Sequence, residues 1–299
     1  MKTAFRQVSL TTTAEAEEAV GWVLETVFEQ APSVFTHPEK PGPVLSVYLT
    51  EKQKVTESQQ RAVRAGLEAV AECGLDVGPG QLEIKRLRRE DWVDSWKRHF
   101  KPIDIGGKLL VKPGWRKEKA RPGQKVVILD PGLSFGTGQH ATTKFCLRQL
   151  VALRQTVARQ SLLDVGTGSG ILSIAGAKLG YDPVQAFDYD SEAVRVARRN
   201  AEKNRVADRL QLKVGDVTKL PLHARVKYDV VCANLFYDLL IANAPRLIVR
   251  VKREGALVLA GILETQFAEV QAAFEEQGMR LVRAQRQGEW RSGRFVHAA

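Results

Sequence analysis

The chain has 299 residues, 44% of them apolar, and a formal net charge of +11, enough for one large globular domain or two ordinary ones. Its longest apolar run, GALVLAGIL at 255–263, is far too short to cross a bilayer, and the opening MKTAFRQVSL lacks the apolar core of a secretory leader. No membrane is therefore expected as a partner, and the cytoplasm is the expected location.

Residues 1–90 read as a small α+β unit: strand FRQVSL, helix AEEAVGWVLETVF, strand PVLSVYLT, helix SQQRAVRAGLEAVAECG and strand QLEIKRL. DWVDSWKRHF opens what reads as a linker over 91–125, with turns around KPGW and RPGQ. LDPGLSFGTGQHATT at 129–143 follows, too polar and too rich in glycine for a core segment, and is expected to be a binding loop.

From 161 onward strands and helices alternate. SLLDVG, helix ILSIAGAKLG, strand PVQAFDYD, helix SEAVRVARRNAEKN, strand RLQLKVGD, strand YDVVCANL, helix YDLLIANAPRLIVRVK, strand GALVLAGIL and helix TQFAEVQAAFEEQG follow in order. Such alternation predicts a parallel sheet covered on both faces. MRLVRAQRQGEW and RSGRFVHAA have no helix between them, which predicts an antiparallel hairpin at the sheet edge. The resulting α/β domain is assigned to 126–299.

Basic residues gather at 85–90, 116–121 and 195–205 without interleaved aromatics. They are compatible with phosphate contacts and equally with solvated faces, so a nucleic acid is possible as a partner but not required. Cys73, Cys146 and Cys232 lie in apolar patterns without metal-ligand spacing; they are expected to be reduced and structural, and no metal is expected.

The strongest chemical signal is LLDVGTGSGIL at 162–172, where Asp164 precedes Gly166, Gly168 and Gly170 between an apolar strand and a helix. Glycines there let the backbone approach a nucleotide-like ligand. Ile171 breaks the dinucleotide pattern G-x-G-x-x-G. The G-x-G-x-G form resembles the first motif of Rossmann-like methyltransferases that use S-adenosylmethionine; the bland alternative is a tight strand-to-helix turn. Asp188 ends the next strand, where a carboxylate suits two ribose hydroxyls, and Asp190 or Ser191 is the expected helix cap. Asp216 ends the third strand, near an adenine or simply in a turn. Asn234 ends the fourth, as a helix cap or as the group that orients an acceptor nitrogen, and is the candidate catalytic residue.

DPGLSFGTGQHATTKFCL, DWVDSWKRHFKPIDIG, GTGSGILSIA, NLFYDLL and GALVLAGILETQ recur in the order found in the PrmA family, the bacterial methyltransferases of large-subunit ribosomal protein eleven, which the chain resembles over roughly 91–265. Ala141 stands where that family often has proline, and the segment after Asn234 is more aromatic than its usual form. The resemblance implies a class I, Rossmann-like methyltransferase domain with a seven-stranded sheet, preceded by an α+β substrate-recognition domain. It implies that the loop bearing Phe135 and Thr143 closes over S-adenosylmethionine, with Thr143, Gly166, Asp188 and Asn234 as ligand contacts.

The implied reaction is methyl transfer to lysine or N-terminal amines of a large-subunit ribosomal protein, by an enzyme expected to be a monomer. A methyltransferase acting on RNA or a small molecule would share every cofactor motif, and a binding module without turnover is the non-enzymatic alternative. Only a neutral amine has the attacking lone pair, so desolvation and alignment are expected to carry the chemistry without a dedicated base.

Overall fold

The structure, a computed structural model, describes residues 5–30, 32–36, 42–50, 53–87, 101–129, 140–155 and 158–298. The chain divides into two compact units, Met1–His99 and Phe100–Ala299.

In the first unit, strands β1 (Phe5–Thr11), β2 (Ser33–Thr36), β3 (Pro43–Thr50) and β4 (Leu82–Leu87) form an antiparallel sheet in the order β2-β3-β1-β4. Alternation decides its buried face. Val8 and Leu10 of β1 join Leu45, Val47 and Leu49 of β3 against Val20, Leu24 and Phe28 of the helix Glu17–Phe28, and Val63 and Leu67 of the helix Glu57–Glu72. The second helix starts with a reciprocal cap: Gln59 N–H donates to Thr56 Oγ1 at 3.2 Å, and Thr56 N–H donates to Gln59 Oε1 at 3.0 Å. Every element expected over 1–90 is present. β2 is an addition, a four-residue edge strand too short to show a period.

The expected linker is corrected. Residues 91–100 lie outside the described ones, but 101–125 are structured and belong to the second unit. β5 (Ile103–Ile105) pairs antiparallel with β6 (Leu109–Lys112), which pairs parallel with β7 (Lys125–Ile128). The reason is burial: Ile105, Leu109, Val111 and Val127 pack into the main core beside Leu147 and Leu150. The intervening polar stretch is tied down by Lys112, whose Nζ donates to the carbonyls of Arg116 (2.9 Å) and Glu118 (2.7 Å).

Residues 130–139 of the expected loop also lie outside the described ones. From Ala141 the chain is already helical, in Ala141–Leu153, which buries Phe145, Cys146, Leu147 and Leu150. Cys146 and Cys232 are buried as expected, and burial pushes both thiols well above the ordinary range. Cys73 is exposed instead, at the end of the helix Glu57–Glu72, where no neighbour covers it.

The main sheet has seven strands: β8 (Leu162–Val165), β9 (Val184–Asp188), β10 (Leu210–Val214), β11 (Tyr228–Asn234), β12 (Val251–Leu263), β13 (Met279–Gln287) and β14 (Trp290–His297), in the order β10-β9-β8-β11-β12-β14-β13. The first five run parallel; β14 is antiparallel to both β12 and β13, so the expected closing hairpin is present. Both faces are buried. Leu162, Val230, Cys232 and Val258 point into one core, while Leu163, Val231, Leu257 and Leu259 point into the other.

One expected helix is divided. YDLLIANAPRLIVRVK forms two short helices, Tyr237–Ala242 and Ala244–Ile248, and its last residues already belong to β12. Pro245 is the cause: it has no N–H to donate back one turn, and it sits at the start of the second helix, where none is needed.

Candidate active site

Five parallel strands aim their carboxyl ends at one edge of the sheet, where open α/β sheets hold their ligands. A cavity of about 750 Å³ lies there. Strand order arranges its wall: Gly215 and Asp216 follow β10, Asp188 ends β9, Gly166 and Gly168 follow β8, Asn234 ends β11, Gly261 lies in β12, and Trp290 begins β14.

The turn after β8 depends on left-handed backbone, with φ of 72° at Gly166, 54° at Gly168 and 81° at Gly170. A Cβ on Gly166 would come within 2.4 Å of Leu235 Cδ2, and one on Gly170 within 3.0 Å of Ala197 Cβ. The turn is held from two sides. Asp164 Oδ2 accepts from Thr167 Oγ1 (2.6 Å) and Ser173 N–H (3.1 Å); Asp188 Oδ2 accepts from Gly168 N–H (2.8 Å) and its Oδ1 from Asp190 N–H (3.1 Å). Asp188 thus both orders the glycine turn and forms part of the cavity wall. Asp190 caps the next helix through Glu192 N–H, as expected.

Asp164 is 1% exposed, and its Oδ1 has no hydrogen-bond partner. Loss of water pushes its pKa up to about 6, against the bonds from Thr167 and Ser173, with the charge of Asp188 adding to the rise.

The sequence-derived residues divide. Gly166, Gly168, Asp188, Asp216 and Asn234 line the cavity together. Asp164 lies beneath the turn rather than on the wall, Gly170 caps the helix Ile171–Leu179 and packs on Ala197, and Thr143 is buried within its own helix with its Oγ1 unpartnered. None of these three lines the cavity; Thr142, the neighbour of Thr143, does. Phe135 lies outside the described residues. Asn234 is not the helix cap that one alternative expected: Phe236 precedes the helix Tyr237–Ala242, and that helix has no side-chain cap. Asp216 takes the turn role, accepting from Thr218 N–H (2.9 Å) and Oγ1 (2.8 Å), while still reaching the wall.

His140, which the sequence suggests only as a commonly structural histidine, and Trp290, which it does not single out, also stand on the wall. His140 and Trp290 meet edge to face, with ring centroids 4.7 Å apart and planes at 73°, and His140 Nδ1 is 2.7 Å from Thr142 Oγ1. Burial holds the imidazole below its ordinary pKa, partly opposed by Glu289. His140 stood in the glycine-rich stretch with nothing to mark its direction, and a tryptophan beside a hairpin turn carries no sequence signal.

The wall carries carboxylates at its β9–β10 end, amide and aromatic groups at its β11–β14 end, and no lysine or arginine among the described residues. Such a donor set suits a ligand with hydroxyls and an ammonium group, and it offers no counter-charge to a pyrophosphate. No cluster of metal-binding side chains occurs among the described residues.

The family described as "Ribosomal protein L11 methyltransferase (PrmA)" matches residues 4–297. A ribosomal protein L11 methyltransferase of Streptococcus uberis is 34% identical over 312 residues, covering 97% of this chain and 95% of the relative. One from Geotalea daltonii is 40% identical over 216 residues, covering 69% and 68%. Among solved structures, a ribosomal protein L11 methylase from Lactobacillus delbrueckii subsp. bulgaricus superposes with a TM-score of 0.59 at 26% identity, covering 67% of this chain and 100% of that one.

Proposed function

Because the chain belongs to the ribosomal protein L11 methyltransferase family, we propose that it transfers methyl groups from S-adenosylmethionine to amine nitrogens, lysine side chains or an N-terminal amine, of that large-subunit ribosomal protein. The observation that carries this reading is a cavity wall without lysine or arginine among the described residues, with carboxylates at one end and, at the other, an asparagine that caps no helix.

Asp188 would accept the ribose hydroxyls and Asp216 would lie near the adenine. The backbone of Gly166 and Gly168 would approach the ligand closely because neither carries a Cβ, with Asp164 and Gly170 supporting that turn from behind. Thr143 and Phe135 are proposed to complete the site from the preceding loop; the unpartnered Oγ1 of Thr143 is free hydrogen-bonding capacity. When bound, the cofactor supplies a methyl group activated by a positive sulfur.

The chain's own contribution is to make the amine neutral and aligned. A lysine with an ordinary pKa near 10.4 needs about 4–5 kcal/mol to lose its proton at pH 7. The lining of the β11–β14 end includes no carboxylate among the described residues, and although the charge of Glu289 reaches His140 nearby, desolvation there favours proton loss to water. Asn234 Oδ1 accepts an N–H of the amine and turns its lone pair toward the methyl carbon. Phe236, 74% exposed at the rim, and Trp290 exclude water around it.

The first unit, which lacks any cofactor motif, is the proposed substrate-recognition domain, and the working form is a monomer in the cytoplasm. Incubation with labelled S-adenosylmethionine and separated ribosomal proteins or ribosomal RNA tests the whole reading. Label in the large-subunit protein is expected; label in RNA alone would replace the acceptor. A chain shortened to its second unit is expected to bind the cofactor and lose methylation of the protein, and retained activity would move recognition out of the first unit.

A further inference from the structure

At the sheet edge opposite the cavity, several elements converge on the last turn of the helix Ile171–Leu179. That helix packs against β7, β10 and the helix Ser191–Lys203. The junction is clamped by Asn204, 2% exposed, whose Oδ1 accepts from Ile128 N–H and whose Nδ2 donates to Ile128 O, both at 2.7 Å. Each element delivers a cation. Lys178 comes from the last helical turn, Lys125 from the start of β7, Arg209 from the turn Ala207–Arg209 just before β10, and Arg205 from the residue after Asn204. Arg205 holds a left-handed backbone, φ 57°, where glycine or asparagine is the ordinary choice. Lys125, Arg205 and Arg209 all act electrostatically on Lys178.

No carboxylate answers them. Glu202 and Asp208 lie on the same turns, yet among the described residues no ion pair joins either to any of the four. Two helix ends nearby each offer roughly half a negative charge, so about three of the four positive charges remain uncompensated. None of the large exposed apolar side chains falls on this patch, which argues against a lipid surface. It holds no aromatic residue that would stack on a base.

We propose that Lys125, Lys178, Arg205 and Arg209 form a docking site for the phosphate backbone of duplex RNA, on the side of the sheet away from the cofactor cavity. The site reads backbone charge rather than sequence, and it leaves the cavity open. This goes beyond the methyl-transfer reading and does not depend on which amine is the acceptor.

The test uses the full chain and a short fluorescent RNA duplex of arbitrary sequence. With three phosphates neutralised, a rise from 50 to 200 mM salt is expected to weaken binding about 20- to 60-fold. A variant carrying K125Q, K178Q, R205N and R209Q is expected to bind at least tenfold more weakly at low salt, with most of the salt dependence gone, while its affinity for S-adenosylmethionine stays that of the parent. A control with the same net charge, carrying R225Q, K227Q, R253Q and R280Q, is expected to keep RNA binding. Failure of the parent to bind RNA at 50 mM salt, equal loss in the control, or competition by a poly-glutamate peptide as strong as that by RNA would each overturn the proposal.

Discussion

The two ends of the cavity are built from the same sheet by opposite means. Around β8, β9 and β10 the wall is backbone and carboxylate, cross-braced so that Asp188 holds the Gly168 amide and Asp164 holds the turn from beneath. Around β11, β12 and β14 it is side chain: an asparagine that caps no helix, an exposed phenylalanine, and a tryptophan edge to face with a histidine. The first end is held in one shape by its own hydrogen bonds. The second is shaped by contacts that a substitution can alter without unfolding the turn, in keeping with the acceptor role proposed for it. Cofactor affinity and acceptor turnover should therefore respond to different residues.

The largest effect is expected inside the second end, where β12 packs against the end of β11. Gly261 has φ 85°, and a Cβ there would lie 2.5 Å from Leu235 O and 3.1 Å from Asn234 Oδ1. Gly261→Ala is expected to cost about 2–5 kcal/mol of stability in chemical denaturation, from left-handed strain plus overpacking. A cost below about 1 kcal/mol would show that the acceptor end yields more easily than its packing indicates.

Asp164 sharpens the contrast through pH. Its pKa is raised in the fold from 3.8 to about 6, so its favourable contribution is complete below pH 3.8 and is lost as pH rises to about 6. That difference of roughly two pKa units corresponds to about 3 kcal/mol. Asp164→Asn is expected to remove this loss and flatten the stability profile over that window. An unchanged profile would mean that the carboxylate is already compensated.

Asn234→Ala is expected to lower turnover on the ribosomal protein about 10- to 100-fold, with less than a twofold change in cofactor affinity by calorimetry, because the lost contacts belong to the reacting nitrogen. Asp188→Ala should do the reverse first: cofactor affinity falls about 5- to 100-fold, or roughly 1–3 kcal/mol, as a charged acceptor is removed. Exchange of these two signatures would break the division. Trp290→Ala is the mildest, with KM for the protein substrate rising up to about tenfold on loss of an aromatic contact; an equal loss of cofactor affinity would place the indole on the other end.

The same division explains what could be read from the sequence. Strand ends are legible because parallel strands buried on both faces are largely apolar runs, so the polar residue that ends each, Asp188 after Ala186 and Phe187 or Asn234 after VVCA, marks the crevice. The first end of the cavity is made of such residues. The second is made by tertiary approach: His140 and Trp290 meet although nothing in either neighbourhood points to the other. β5 to β7 passed for a linker because strands of three or four residues, separated by glycine and proline turns, show no period. Thr142 and Thr143 concealed a helix start, since β-branched residues without a side-chain cap read as loop.

The position of β14 has a consequence in time. The last strand of the sequence does not sit at the sheet edge but is inserted between β12 and β13, so it can pair only after both have been synthesised. β8 to β10 and their turns come earlier in the chain and need no part of the closing hairpin for their mutual pairing. On a growing polypeptide every residue of the β8–β10 end of the cavity is therefore made before the wall that Trp290 contributes, and that wall cannot be set in place until the closing hairpin is complete.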